Sequence, residues 1–419
     1  MKPSGIEWIG DIPDDWEVRK LLSLFKEHKD RNKNLEEQNL LSLSYGKIKR
    51  KDINNNDGLL PASFETYNIV EKGDIVFRLT DLQNDKRSLR TGIVTQRGII
   101  TSAYVTIRPK IKLDSRFYHY LYHMYDICKV FYGMGDGVRQ GMGFEDLKNI
   151  PTLIPPLKTQ QKIADYLDEK CGEIDATIAK QKESIEKLKA YKQSLISETV
   201  TKGLDKSAPL KPSGIEWIGD IPAHWEVIKT KFLFNVYGGS TPKVNVPEYW
   251  GDKITWITPG ELGDDIKIVL NSKRMLSEKG LNSCGATLVS KGSIIISNRA
   301  PIGQVCLAGS ELCTNQGCKS LVAKIKLSCL FFYYFFKVQS EVLNMLGNGT
   351  TFMELSTSDL LNFKIPCPTI KEQQKIADYL DSKCSQIDKY ITEKQNIIQK
   401  LDTYKKSLIF ECVTGKQKI

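Results

Sequence analysis

The chain has 419 residues, of which 41% are hydrophobic and 26% charged, with a formal charge of +10. At roughly 100–200 residues per domain the length asks for two to four domains, and the composition excludes wholesale disorder. The charge suits an anionic partner without naming one. The opening MKPSGIEWIGDIP has no apolar signal segment, and the most apolar run, Leu330 to Phe336, is too short to cross a bilayer, so a cytoplasmic protein with no membrane contact is expected.

The first seventeen informative residues return later in the chain. Lys2 to Val18 reads KPSGIEWIGDIPDDWEV and Lys211 to Val227 reads KPSGIEWIGDIPAHWEV, so only Asp14/Ala223 and Asp15/His224 differ. A second match joins Gln160–Thr201 to Gln373–Thr414 without a gap, with 25 of 42 positions identical and QQKIADYLD in both. The chain is therefore a tandem repeat. Between these flanks the middles, about 19–150 and 228–362, share only anchors such as Lys72-Gly73 beside Lys291-Gly292 and Asp146-Leu147 beside Asp359-Leu360. One scaffold is used twice with two different inserts.

Both inserts read as α+β, with short β-branched runs such as Gly73–Phe77, Gly98–Thr101 and Gly292–Ile296, followed by aromatic helical stretches near Phe117–Tyr132 and Leu330–Val338. Their polar loops are the candidate contact surfaces. In the first insert these are Arg78, Thr80, Lys86, Arg87 and Arg90, with Arg139 and Gln140 on the glycine-rich loop GMGDGVRQGMG. In the second they are Ser240, Thr241, Lys243, Asn298, Arg299, Asn315, Gln316, Lys319, Asn348, Thr350 and Thr351. Arginine suits guanine and Asn or Gln suits adenine, while Ser, Thr and Lys hold phosphates. A polar loop taken alone is more often merely solvated.

Each repeat closes on a proline-free stretch expected to be one long helix. In the first, Leu167, Cys171, Ile174, Ile178, Ile185, Leu188 and Leu195 recur in steps of three and four, with Gln181 and Lys192 as polar interruptions. The second repeats the seam at Leu380, Cys384, Ile387, Ile391, Ile398, Leu401 and Leu408, interrupted by Lys394 and Lys405. Such rods must bury their stripe, and the matched partner in the same chain predicts an intramolecular antiparallel coiled coil with pseudo-twofold symmetry. The expected division is 1–155 and 212–368 for the two insert domains, 156–202 and 369–419 for the helices, and 203–211 for a linker.

Metal and redox chemistry find little support. His119 and His123 have ligand-like i, i+4 spacing, but they lie in an aromatic amphipathic helix without an acidic third ligand and read as packing residues. The ten cysteines form no paired CxxC set, and most of them read as small reduced hydrophobes. No metal is expected.

These motifs together resemble the specificity subunit of type I restriction–modification systems. The resemblance rests on Gly5-Ile6-Glu7-Trp8-Ile9-Gly10 and its repeat at Gly214, on Gly238-Gly239-Ser240-Thr241-Pro242 and Trp256-Ile257-Thr258-Pro259-Gly260-Glu261-Leu262, on Asn298-Arg299-Ala300-Pro301-Ile302-Gly303, and on Thr314-Asn315-Gln316-Gly317 and Gln373-Gln374-Lys375-Ile376-Ala377. The first insert departs from the pattern, with Arg78-Leu79-Thr80 where the second has Asn298-Arg299-Ala300-Pro301. The resemblance implies two target-recognition domains, each reading half of an asymmetric duplex DNA site, and helices that dock two modification subunits. It implies that those partners methylate adenine with S-adenosylmethionine, and that two restriction subunits, where present, use ATP with Mg. This chain would bind no cofactor and perform no catalysis itself. The only Pro-Pro, Pro155-Pro156, lies outside any Asn/Asp-Pro-Pro-aromatic motif, and no GxxxxGK[ST] loop occurs. A stand-alone bivalent DNA-binding regulator, or a coiled-coil scaffold, is the alternative.

Overall fold

The structure, a computed structural model, describes residues 1–52, 63–80, 82, 89–133, 141–263, 266–347 and 353–419. It is α+β and divides into two compact units, residues 1–182 with 395–419, and residues 183–394. Each unit holds one insert domain and parts of both long helices.

In the first unit a four-stranded antiparallel sheet has the order Phe25–Glu27, Val105–Pro109, Ile75–Phe77, Thr91–Ile93. Its runs are apolar on both faces because a helix covers one side and a smaller cluster of Leu41, Val70, Val76, Val94 and Ile100 the other. That helix, α1 (Ser115–Ile127), starts where the Asp114 side chain accepts the Arg116 N–H, and it buries Phe117, Tyr118, Leu121, Tyr122 and Tyr125. Beside it begins α2 (Leu157–Lys202), after the strand Pro151–Ile154, which pairs with Glu17–Lys20. At 1.5 Å per residue its 46 residues span about 70 Å.

The second unit is larger in sheet. A five-stranded sheet has the order Phe234–Gly238, Cys318–Ala323, Ile294–Ser297, Val305–Ala308, Ile268–Val269, the last pair parallel. A four-stranded sheet runs Trp250–Gly251, Met275–Leu276, Ile254–Ile257, Leu312–Thr314, again ending on a parallel pair. The helix α3 (Cys329–Val338) is capped by the Ser328 hydroxyl and buries Phe331 to Phe336 without interruption. It occupies the place of α1. The chain then reaches α4 (Ile370–Val413) through the strand Lys364–Cys367, which pairs with Glu226–Lys229 as its counterpart does in the first unit.

Packing of the helix ends explains why the opening flanks repeat. The near-identical opening segments are sockets for helix ends. In the first unit Trp16, Ile6, Ile9 and Ile12 share a core with Ile409, Cys412 and Val413 at the end of α4, and Gly415, at φ +72°, lies against Pro13 and Trp16. In the second unit Trp225, Ile215, Ile218 and Ile221 receive Ile196 and Val200 at the end of α2, and Gly203, at φ +74°, faces Trp225. A side chain at either glycine would be strained by its backbone and crowded by an indole. Each socket thus takes the helix that began in the other copy.

The seam itself is graded. Leu167, Ile174, Ile178 and Ile185 of α2, and Leu380, Ile387 and Leu408 of α4, are buried, while Leu188, Leu195, Ile391, Ile398 and Leu401 are half-buried. The lysines that interrupt it carry ion pairs: Lys405 meets Asp175 at 2.6 Å and Lys192 meets Asp388 at 2.6 Å. These are one pair built twice, since Asp175 and Asp388 occupy the same position of the repeat, as do Lys192 and Lys405. The expected linker gives way at its end to the strand Leu210–Pro212, paired with Asp220–Pro222. All ten cysteines are free thiols. Burial pushes Cys306, Cys313 and Cys412 up to about 12, so these thiols stay protonated and inert. No helix among the described residues is long and apolar enough to cross a membrane.

Candidate nucleic-acid interface

The second unit brings its polar loops to one end of the five-stranded sheet. Gly238 pairs with Lys319 and Ser297 with Cys318, so the loops that leave these strands emerge side by side. The loop after Gly238 is pinned twice: Ser240 N–H donates to the Thr314 carbonyl (2.9 Å) and Trp256 Nε1–H donates to the Ser240 carbonyl (2.9 Å). Gly239 has no Cβ because the Thr314 and Asn315 carbonyls occupy that space. Thr241 Oγ1–H donates to Gln316 Oε1 (2.5 Å), and Asn315 Oδ1 accepts the Gly317 N–H (2.9 Å). Thr241, Gln316 and Lys243 therefore stand on one rim, with Gln316 and Lys243 exposed and Lys319 half-buried at its foot.

Glu354, unremarked in the sequence, organises the third loop. Its carboxylate accepts from Asn298 Nδ2 (2.8 Å) and from Arg299 Nε (3.1 Å) and Nη2 (3.0 Å). Arg299 remains accessible. Asn298 is a correction: it is fully buried, with Nδ2 donating to Glu354 and its backbone carbonyl accepting the Leu355 N–H, so it positions the loop rather than standing exposed on it. Asn348, Thr350 and Thr351 lie outside the described residues.

A second correction concerns Arg90 in the first unit. Its side chain is fully buried, with Nη1 donating to the Thr80 (2.7 Å) and Arg78 (3.2 Å) carbonyls and Nε to Tyr132 Oη (3.1 Å). Its backbone N–H donates to Asp126 Oδ2 (2.6 Å). A guanidinium can be sealed in when carbonyls and a phenol take its donors. Arg90 is thus an internal strut for the loop that presents Arg78 and Thr80, of which Thr80 is exposed and Arg78 half-buried. Lys86, Arg87, Arg139 and Gln140 lie outside the described residues.

Sequence reading also missed how each insert is fixed to its long helix. In the first unit Gln160 is buried, its Oε1 accepting the Asp114 N–H (3.0 Å) and its Nε2 donating to the Pro155 carbonyl (2.8 Å). In the second, Gln373 does the same for the Ser328 N–H (2.9 Å) and the Pro368 carbonyl (2.9 Å). Two helical turns on, Asp168 accepts from Tyr120 (2.8 Å) and Arg116 (2.8 Å), and Asp381 accepts from Tyr334 (3.1 Å) and Lys267. The recurrence of QQKIADYLD in both copies was the available signal.

His119 and His123 lie on α1 with ring centroids 5.9 Å apart. Burial, then the other imidazole, pushes His119 down to about 3; burial, then Lys405 and Lys406, pushes His123 down to about 4. Among the described residues no group of three His, Cys, Asp or Glu is placed to hold a metal ion.

Comparison with known proteins agrees with this architecture. The family model for the type I restriction modification DNA specificity domain matches residues 13–189 and again 222–403. A type I restriction enzyme MjaIX specificity subunit of Methanocaldococcus jannaschii is 42% identical over 166 residues, which is 39% of this chain and only 38% of that protein. A putative MjaX specificity subunit of the same organism is 25% identical over 98% of this chain and 96% of its own length. The EcoR124I/EcoR124II specificity subunit of Escherichia coli is 25% identical over 70% of each. Among solved structures, a chain from a study of complex assembly and conformational transition in a type I R-M system aligns over 97% of this chain and all of its own, with a TM-score of 0.73 at 16% identity. The HsdS subunit from Thermoanaerobacter tengcongensis aligns over 97% and 98%, with a TM-score of 0.55 at 16% identity. At that identity these two speak for the fold.

Proposed function

The chain belongs to the type I restriction–modification DNA specificity family, and from that premise we propose that it is the DNA-recognition subunit of such an enzyme. Each unit reads one half of a bipartite, asymmetric duplex site, and catalysis resides in partner subunits. Two modification subunits dock on the long helices and methylate adenine with S-adenosylmethionine. Two restriction subunits complete the assembly where cleavage accompanies modification, with ATP and Mg. This chain holds no cofactor of its own and works in the cytoplasm. Its long helices pair as one antiparallel coiled coil with pseudo-twofold symmetry, so their length sets the distance between half-sites.

The observation that carries the reading is the match of one specificity-domain model to both halves, on inserts whose exposed loops differ. Thr241, Gln316, Arg299, Lys243 and Lys319 supply amide, hydroxyl and cationic donors at one sheet end, the groups that read base edges and hold phosphates. In the first insert Arg78 and Thr80 are the described counterparts. A stand-alone regulator or scaffold would not need paired sockets on a chain of this family.

Methylome sequencing tests the proposal. Exchanging residues 19–150 for the corresponding insert of a relative changes one half-site and leaves the other as it was. A change in both halves, or in neither, overturns the modular reading.

A further inference from the structure

One strongly basic surface of the first unit belongs to none of the candidate loops. The strands Leu41–Ser44 and Lys47–Arg50 form a hairpin in the register Ser42 to Lys49, Leu43 to Ile48 and Ser44 to Lys47. Its turn, Tyr45-Gly46, has positive φ at both positions (47° and 76°), the geometry that matches strand twist in a two-residue loop. Alternation does the rest. Leu41 and Leu43 are buried and Ile48 packs on the cluster of Val70, Val76, Val94 and Ile100, so the opposite face carries Ser42, Ser44, Lys47 and Lys49. Lys51 continues the row, its N–H still bonded to the Leu40 carbonyl.

That face is a line of exposed ammonium groups about 7 Å apart over two small hydroxyl residues. Among the described residues one carboxylate approaches it. Lys47 approaches Asp175 at 3.4 Å, but that carboxylate is already held by Lys405 at 2.6 Å. Among the described residues Lys49, Arg50 and Lys51 form no ion pair. A half-exposed apolar surface would ask for a protein; a row of exposed lysines with serines low enough to admit a close approach fits a polyanion. The outer face lacks Arg, Asn and Gln, the side chains that distinguish bases, and Arg50 points with Ile48 to the other side.

We propose that Ser42, Ser44, Lys47, Lys49 and Lys51 form a sequence-independent contact for the phosphodiester backbone of duplex DNA. It rests on the reading of the chain as a DNA-recognition subunit and adds to it a grip, present in the first unit, that positions the duplex without reading it.

The test uses the chain in complex with its modification subunits. Fluorescence anisotropy gives the affinity for a duplex carrying the site found by methylome sequencing and for a scrambled duplex, between 50 and 200 mM salt. Replacing two phosphate-binding lysines, Lys49→Gln with Lys51→Gln, weakens both duplexes by about tenfold or more and makes the slope of log affinity against log salt shallower by about 1.8. The ratio between the duplexes stays the same, and Lys49→Arg with Lys51→Arg keeps the wild-type slope. An unchanged slope in the Gln variant, with wild-type complex binding normally, overturns the hairpin proposal alone. Loss of modification subunits from the Gln variant overturns it in favour of an acidic protein surface. A wild-type complex that prefers neither duplex nor binds either overturns the recognition reading and the hairpin with it.

Discussion

The two insert domains differ in nearly every residue and yet meet their long helices through the same acceptors. Gln160 and Gln373 each receive the N–H that precedes an aromatic helix, from Asp114 in one copy and Ser328 in the other. Asp168 and Asp381 each receive a tyrosine hydroxyl from that helix and a cation beside it. The cation comes from α1 itself in the first unit, as Arg116, and from the sheet in the second, as Lys267. The difference teaches what a divergent domain must retain to stay mounted on a fixed rod. It must offer a capped helix with a tyrosine six residues past the cap, and one positive charge from any direction. Everything at the far sheet end is then free to vary, which is where the exposed polar loops lie.

The strongest way to break this equivalence is at the buried glutamines. Gln160→Leu keeps most of the volume but leaves the Asp114 N–H and the Pro155 carbonyl without partners, at about 1–3 kcal/mol for each buried group. Gln373→Leu does the same to Ser328 and Pro368. Both variants should lose about 2–6 kcal/mol locally. Hydrogen-exchange mass spectrometry should show faster exchange over 114–127 and 155–165 in the first, and over 328–338 and 368–378 in the second. If one glutamine tolerates leucine and the other does not, the two mounts are not equivalent.

How much of this the sequence disclosed depended on how the residues act. The repeat, the helical periodicity and the exposed loops around Thr241 and Gln316 were legible because local pattern determines them. The long helices follow directly, from Leu157 to Lys202 and from Ile370 to Val413. Arg90 and Asn298 were not legible as internal struts, because a sequence shows a donor but not the carbonyls or the Glu354 carboxylate that enclose it. The lysine row on the hairpin was equally silent. KIKRK reads as solvated charge until strand pairing puts Ile48 inside and Lys47 and Lys49 together outside. Side-chain partners distant in sequence, such as Tyr120 with Asp168, needed the fold.

A second test sets pH against the comparison. His119 and His123 on α1 correspond to Tyr333 and Lys337 on α3, where Lys337 Nζ donates to Tyr333 Oη (3.2 Å) and no imidazole occurs. The Nδ1 atoms of both histidines are buried without a hydrogen-bond partner, and their pKa values, about 3 and about 4, lie below the ordinary 6.5. The folded first unit holds both rings neutral, whereas the unfolded chain takes up two protons as pH falls through about 6.5. Stability from this source is complete above pH 6.5 and is lost on acidification towards pH 4. At pH 5.5 the loss is on the order of 1 kcal/mol for each ring. Exchange protection, corrected for intrinsic rates, should fall over 115–127 between pH 7.5 and pH 5.5 and hold steady over 329–338. Equal losses in both helices would remove the histidines as the cause.

The smallest effect belongs to the ion pairs that interrupt the seam, and it makes the sharpest comparison because the chemistry is identical. Burial pushes the Asp175 carboxyl up, but the hydrogen bond and charge of Lys405, with Lys47 assisting, hold it below the usual range. Asp388 and Lys192 repeat the geometry at the same 2.6 Å, and among the described residues no second lysine joins them as Lys47 joins Asp175. Both pairs are partly exposed, so each contributes about 0.5–1 kcal/mol. Double-mutant cycles to alanine at Asp175/Lys405 and Asp388/Lys192, read by urea unfolding, isolate those couplings. Charge reversal of one partner costs more than its removal, and reversal of both, Asp388→Lys with Lys192→Asp, restores most of the loss. The first cycle should come out the weaker of the two, since Lys47 remains to satisfy Asp175 when Lys405 is gone. Equal couplings would mean that Lys47 leaves this carboxylate to its helix partner, freeing its own charge for the outer face of the hairpin.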